Sequence, residues 1–342
     1  MTLRKPNRAE ILPTHTAALF DAAVRRAAEL LRAGEVVALP TETVYGLAAN
    51  ALDTKAVARI FEVKGRPSHN PIIIHVSDLA MARKFVADWP VAADKLAQSF
   101  WPGPLTLVLP RADGIPDIVT AGGNTVGVRW PSHPFMQAVI RECGFPLAAP
   151  SANPSNSISP TNAAHVQETL GARIKLIVDG GQSQVGIEST VVDVTSRPPA
   201  VLRPGMIHAE SLLAALGEVG LRTSASDHGG ALKSPGQLKK HYSPKARLVM
   251  LPWKDDSELA SRLIELGASP AETQVVAYSH IPAMPDLAGV SVIPHDAEAY
   301  ARALYAELHR CDAEGAKWIV VESLPDGPEW QAIADRLRRA AS

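Results

Sequence analysis

Short apolar runs recur along the front of the chain, at 36–39, 72–76, 105–109, 126–128, 147–149, 176–178, 191–194 and 200–202. Pro, Gly, Asp or Ser flank them, which is how buried strands between turns read. Between 17 and 33 the spacing changes. Leu19, Ala23, Ala27, Leu30 and Leu31 share one face of a 3.6-residue repeat and Gly34 follows, so a helix with a glycine cap is predicted there. Further helical stretches are predicted near 54–63, 92–100, 134–142 and 161–170. Strands in this number with irregular crossovers imply an α/β or α+β unit built on one large mixed sheet.

The tail repeats a simpler order: strand 248–251, helix 256–267, strands 274–278 and 290–293, helix 296–312, strand 318–321 and helix 328–340. That predicts a small layered α/β domain. Between the two parts, 223–244 reads TSASDHGGALKSPGQLKKHYSP. No period persists in it and Ser, Gly and Pro dominate its first half, so it reads as a linker. The predicted organisation is a catalytic unit over 14–207, a linker over 208–246 and an accessory domain over 247–342.

Composition agrees with two globular domains. Of 342 residues, 46% are apolar and 20% charged, enough for sizeable cores. Cys143 and Cys311 are the only cysteines, and no CxxC or HExxH occurs, so neither a disulfide framework nor a zinc motif is expected. The net charge is −1, which argues against a protein whose main task is gripping nucleic acid. The total hides an asymmetry: +3 over 1–207, +2 over 208–246 and −6 over 247–342. No apolar run is long enough to cross a bilayer and the first residues lack a signal-type apolar segment, so a cytoplasmic location is expected.

No GxxxxGK[ST] and no GxGxxG is present, so any nucleotide is held without a P-loop or a Rossmann turn. The candidate chemistry lies at predicted strand ends. LPTETVYGL (39–47) crowds Thr41, Glu42, Thr43 and Tyr45 into an apolar stretch, either as ligand-binding hydroxyls or as a helix N-cap. KGRPSHNPIIIHV (64–76) carries Lys64 and Arg66, which are either a polyanion site or solvated charges, and then His75, which is either a core residue or a functional one. GGNTVGVRWP (122–131) ends a strand at Arg129, and VLRPG (201–205) ends one at Arg203. LAAPSANPSNSISPT (147–161) runs a buried strand into Ser151 and Asn153. The GxSxG elbow is absent, so a hydrogen-bonding loop fits better than a serine nucleophile. GIESTVVDV (186–194) adds further hydroxyls. Four strand-end cations with few candidate acids describe a site for an anion-rich substrate such as ATP, in which preorganised donors stabilise phosphoryl charge.

PTETVYGL, KGRP with PIIIH, SAN followed by SPT, and GIESTVVD stand in the order and spacing of the YrdC-like fold. The chain closely resembles the threonylcarbamoyl-AMP synthase family over roughly 17–208. The resemblance continues through SPGQLKKHYSP (234–244) into the second domain of the longer members. It implies a twisted mixed sheet around a concave cavity, with a small Rossmann-like α/β domain at the C-terminal end. It also implies that L-threonine, bicarbonate (or CO2) and ATP are joined into L-threonylcarbamoyl-AMP, which partner proteins transfer to tRNAs reading codons that begin with A. Magnesium is implied as the counter-ion of ATP, with no metal ligands of the protein itself, and neither strong tRNA binding nor a membrane is expected.

Carried over by motif, Thr43, His75, Arg129, the backbone at Ala149 and Ser189 are the expected threonine contacts. Arg66, Asn70, Thr125, Ser151, Asn153, Ser159, Arg203 and Tyr242 are the expected ATP contacts. Lys64 and Arg66 are the expected catalytic cations, and the segment bearing Tyr242 is the expected cover over ATP. Some members carry Gly where Asn156 stands. Asn tolerates a left-handed backbone best after Gly, so the loop is expected to be kept. Two rival readings are a carbamoyl-adenylating carbamoyltransferase of hydrogenase maturation, which carries extra domains and cysteine zinc motifs, and a non-catalytic RNA binder.

Overall fold

A computed structural model describes residues 8–222 and 242–341. Among these the chain divides into two units. One takes in 8–155, 159–184 and 188–222; the other takes in 156–158, 185–187 and 242–341.

The first unit is built on a ten-stranded sheet among the described residues. Its strands are β1 (Glu10–Pro13), β2 (Val37–Leu39), β3 (Gly46–Asn50), β4 (Ile74–His75), β5 (Leu105–Pro110), β6 (Thr125–Arg129), β7 (Leu147–Ala148), β8 (Leu176–Asp179), β9 (Thr190–Asp193) and β10 (Ala200–Arg203). Their order across the sheet is β1-β8-β2-β3-β7-β4-β6-β5-β9-β10. Parallel and antiparallel neighbours are mixed: β4 runs parallel to β6 and antiparallel to β7, and β5 runs parallel to β9 and antiparallel to β6.

The apolar runs are nearly continuous because both faces of the sheet are covered. Ala38, Leu47, Ala49 and Ile177 belong to one core cluster, while their chain neighbours Val37, Leu39, Ala48, Leu176 and Val178 belong to another. The helix Ala17–Arg32 covers the second face through Ala23, Ala27, Leu30 and Leu31. Thr16 Oγ1 caps it by accepting from the Leu19 amide at 3.3 Å.

Two strands carry no pattern signal. β1 is a half-exposed edge, and β3 is GLAAN, whose alanines have weak strand preference and are held by their neighbours on both sides. The composition assigns the stretch from 208 to the linker. It opens with the helix Ala209–Leu216, whose Leu212 and Leu216 join the first unit's core.

The second unit holds a four-stranded parallel sheet: β11 (Arg247–Leu251), β12 (Thr273–Ala277), β13 (Gly289–Val292) and β14 (Trp318–Glu322), in the order β11-β14-β12-β13. Helices Asp256–Leu266, Ala297–Ala313 and Gln331–Ala340 accompany it. Among the described residues no helix is long and apolar enough to cross a membrane.

Candidate active site

Arg129 closes β6, and the register sets it beside His75 on β4. It is 4% exposed, so its charge needs partners. Nη1 donates to Thr43 Oγ1 at 2.9 Å and Nε donates to the Gly103 carbonyl at 3.3 Å. Nη2 lies 2.8 Å from Glu42 Oε1, close enough for a strong charge pair, yet the angle leaves Nη2 without a hydrogen-bond acceptor. Glu42 Oε1 also accepts from the Ser132 amide at 2.9 Å, while Oε2 is buried and unpartnered. Burial pushes the Glu42 carboxyl up, but the Arg129 charge and the Ser132 amide outweigh it and hold the group below the usual carboxylate range.

Thr41 organises the turn that presents Thr43. Its Oγ1 donates to the Val44 carbonyl at 2.6 Å and accepts from the Thr43 and Val44 amides. No helix follows. Tyr45, anchored through its hydroxyl to the Gly181 carbonyl and the Gly180 amide, leads the chain into β3 instead, so the N-cap reading of this motif fails. His75 is 3% exposed and its Nδ1 has no partner. Burial, and then the neighbouring Arg129, lower its pKa to about 3, so the ring is neutral at physiological pH. Ala149 follows β7, buried, with its amide donating to the Ile73 carbonyl at 3.2 Å.

A second group forms around the KGR motif. Lys64 ends the helix Thr54–Lys64, and Gly65, at φ 60°, turns the chain there. The Lys64 ammonium is buried and donates to the carbonyls of Ser151 and Asn153, both at 2.5 Å. Burial, then the nearby Arg66, push its pKa well below the usual lysine value. Arg66 is buried too, with Nε donating to the Asn70 carbonyl at 3.1 Å and Nη2 to the Pro71 carbonyl at 2.7 Å. Both cations are therefore built into the loops, and the solvated-charge reading is excluded. Asn70 is fully buried, and neither its side-chain oxygen nor its nitrogen has a partner.

A third group lies at β9 and β10. Ser189 Oγ is 2.8 Å from Thr106 Oγ1 on β5 and accepts from Arg203 Nη2 at 3.1 Å; Arg203 Nε donates to the Ser189 carbonyl at 3.0 Å. Ser159 Oγ donates to Glu188 Oε1 at 2.6 Å. Thr125 begins β6 and is half-buried. Four steps along the strand separate it from Arg129, about 13 Å at the usual rise. Tyr242 belongs to the second unit, where it is buried at φ 63° with its ring 5.9 Å from Tyr305 and 5.5 Å from the Arg336 guanidinium. The rest of the covering motif, 234–241, lies outside the described residues. Asn156 stands at φ 67°, the left-handed conformation expected of it. None of the residues expected to contact threonine or ATP borders the cavity of about 290 Å³ that Thr14, Phe20, Glu42, Ser132, His133 and Gln184 line.

The family model described as telomere recombination (Sua5, YciO, YrdC) matches residues 29–205, and the model described as threonylcarbamoyl-AMP synthase, C-terminal domain, matches 207–342. The threonylcarbamoyl-AMP synthase of Pyrococcus abyssi is 39% identical over 327 residues, covering 93% of this chain and 94% of its own. That of Bacillus subtilis is 41% identical over 330 residues, covering 94% and 93%. The crystal structure of P. abyssi Sua5 complexed with L-threonine superposes with a TM-score of 0.86 at 37% identity, covering 97% of this chain and 96% of that one.

The chain belongs to the threonylcarbamoyl-AMP synthase family.

As a member it is an enzyme with an AMP-transferring activity in tRNA modification. Its fold is the mixed α/β sheet and small parallel-sheet domain of the family. Four polar residues of the constellation stand outside the contacts that the family motifs imply: Glu42, on Arg129; Thr41, on Thr43; Thr106, on Ser189; and Glu188, on Ser159. Each lies within or next to a motif or strand whose apolar pattern dominates; Glu42, Thr106 and Glu188 acquire their partners from other segments, whereas Thr41 meets Thr43 within its own turn. Only the PTET cluster, with four polar groups in an apolar stretch, carried a signal for two of them.

Proposed function

We propose that the enzyme joins L-threonine, bicarbonate (or CO2) and ATP into L-threonylcarbamoyl-AMP, releasing diphosphate and water, with the first unit's strand-end residues as the site. One observation carries this assignment: buried polar atoms without hydrogen-bond partners stand where the family motifs fall, at Asn70 Oδ1 and Nδ2 and His75 Nδ1. An unsatisfied buried polar group costs about 1–3 kcal/mol, and a ligand that pairs with it removes that cost. The relative from P. abyssi was solved with L-threonine, which supports placing threonine on the matching residues.

Arg129 meets the threonine carboxylate, flanked by Thr43, neutral His75, the backbone at Ala149, and Ser189. Arg66, Asn70, Thr125, Ser151, Asn153, Ser159, Arg203 and Tyr242 meet ATP. Lys64 ties the 151–153 loop against the helix end, beside Arg66. The threonine amine attacks CO2, forming the N–C bond and losing a proton. A carbamate oxygen then attacks the α-phosphorus as the bond to the β-phosphate bridge breaks, and diphosphate leaves. No protein nucleophile takes part, so the residues act by holding the partners together and balancing charge.

Among the described residues no three His, Cys, Asp or Glu side chains converge, and the two carboxylates of the constellation are engaged, Glu42 with Arg129 and Glu188 with Ser159. Magnesium would arrive on the ATP phosphates, where it would neutralise charge. The near-neutral chain fits an enzyme that hands a small adenylate to a tRNA transferase in the cytoplasm without gripping tRNA. The test mixes the protein with L-threonine, bicarbonate, ATP and magnesium and follows the products by mass spectrometry. Diphosphate and threonylcarbamoyl-AMP appear together, and both vanish without bicarbonate. Diphosphate release that ignores bicarbonate overturns the reading.

A further inference from the structure

Arg129 is held from three directions, and one of the holders is an acid. Thr43 and the Gly103 carbonyl are neutral acceptors on Nη1 and Nε. Glu42 is the charged partner, on Nη2, with both side chains 5% exposed. A buried arginine without a counter-charge is unfavourable and tends to swing toward water or draw in a stray anion. Glu42 is itself fixed, because its Oε1 accepts from the Ser132 amide and its chain neighbours Thr41 and Thr43 share a 2.9 Å contact in the same turn. The acid therefore ties three segments to one guanidinium: the turn before β3, the end of β6 and the Pro131–Ser132 bend. The pair is held by charge at 2.8 Å without a well-aligned hydrogen bond from Nη2.

We propose that Glu42 is the positioning residue of the threonine site: it neutralises Arg129 in the empty enzyme and fixes the guanidinium for the threonine carboxylate. This rests on Arg129 being the carboxylate contact. The opposite role is also physically defined. If Glu42 merely competed with the substrate carboxylate for the arginine, removing its charge would tighten threonine binding.

Glu42→Gln keeps an oxygen for the Ser132 amide and removes the charge. The full-length variant is assayed by diphosphate release against threonine and ATP separately, beside Arg129→Gln and the double variant. The expected result is a threonine KM raised about tenfold or more, with the ATP KM and the kcat at saturating threonine near wild type. Added to Arg129→Gln, Glu42→Gln then changes nothing further, because it acts only through the arginine. An unchanged or lower threonine KM in Glu42→Gln overturns the proposal, as does an equal rise in both KM values. If Arg129→Gln itself keeps the wild-type threonine KM, the carboxylate assignment fails instead. Should Glu42→Gln not fold, as judged by its melting curve, the double variant decides, since it buries neither charge. A threonine KM equal to that of Arg129→Gln supports the proposal, and a further rise overturns it.

Discussion

Lys64 and Arg66 carry charge, yet each is bonded to backbone carbonyls of its own surroundings. Their substitution therefore has two effects. Lys64→Met leaves the Ser151 and Asn153 carbonyls without their donor, at about 1–3 kcal/mol for each buried acceptor. The melting temperature falls, and the loop that presents Ser151 loosens. Adenylate formation by Lys64→Met or Arg66→Ala drops by about two orders of magnitude or more, read as diphosphate release. Near-normal release in a folded variant removes these cations from the chemistry.

His75 makes a different prediction at the same scale. Its folded pKa, about 3, lies below the ordinary histidine value of 6.5, so the unfolded chain binds the extra proton first. The stability it contributes is fully present above pH 6.5 and is lost as pH falls toward 3, at no more than about 1.4 kcal/mol per pH unit for one proton. Urea unfolding from pH 7 to 4 should show this slope in the wild type and a flatter one in His75→Gln. Identical slopes mean that His75 is not buried neutral. Glu42 shifts in the same sense, and its contribution begins to fade only near its ordinary value of 4.5.

At the scale of elements, adjacent strands order the site. Arg129 ends β6, His75 sits on its parallel neighbour β4, and β7, which leads to Ala149, pairs with β4 on the other side. Thr125 lies at the far end of β6, so one strand spans the distance between the proposed threonine and ATP contacts. On the other flank, β10 depends on close backbone approach. A Cβ on Gly205 would stand 2.4 Å from the Thr190 amide nitrogen and 2.6 Å from its hydroxyl, and neither can yield without moving β9. Gly205→Ala therefore displaces Arg203 from Ser189. The expected outcome is a lower melting temperature together with weaker binding of both substrates, measured as two raised KM values. A variant with normal kinetics shows that the strand pair tolerates the shift.

At the scale of the molecule, the two units divide the proposed contacts unequally. Only Tyr242 comes from the second unit, where Tyr305 and Arg336 pack against it. A fragment ending near Gly220 lacks all three. It should retain threonine binding in calorimetry while its ATP KM rises clearly. Turnover equal to that of the full chain removes Tyr242 from ATP binding.

Much of this is legible in the sequence. Apolar periodicity marked most strands and the long helices, because covering both faces of a sheet demands apolar side chains at nearly every position. The polar clusters at strand ends marked the motifs, and their order marked the family. β1 and β3 were not legible, since an exposed edge and an alanine-rich strand owe their conformation to their neighbours rather than to their own preference. The direction of each charge was not legible either. Lys64 and Arg66 by themselves read more readily as solvated charges, and Glu42 reads as one polar residue among four. What the sequence determined by itself was which residue types stand at the strand ends. The tertiary structure decided which of them share a buried space, because the pairing of Glu42 with Arg129, Lys64 with the 151–153 loop and Ser189 with Arg203 is a matter of sheet register, and burial gives those pairs their strength.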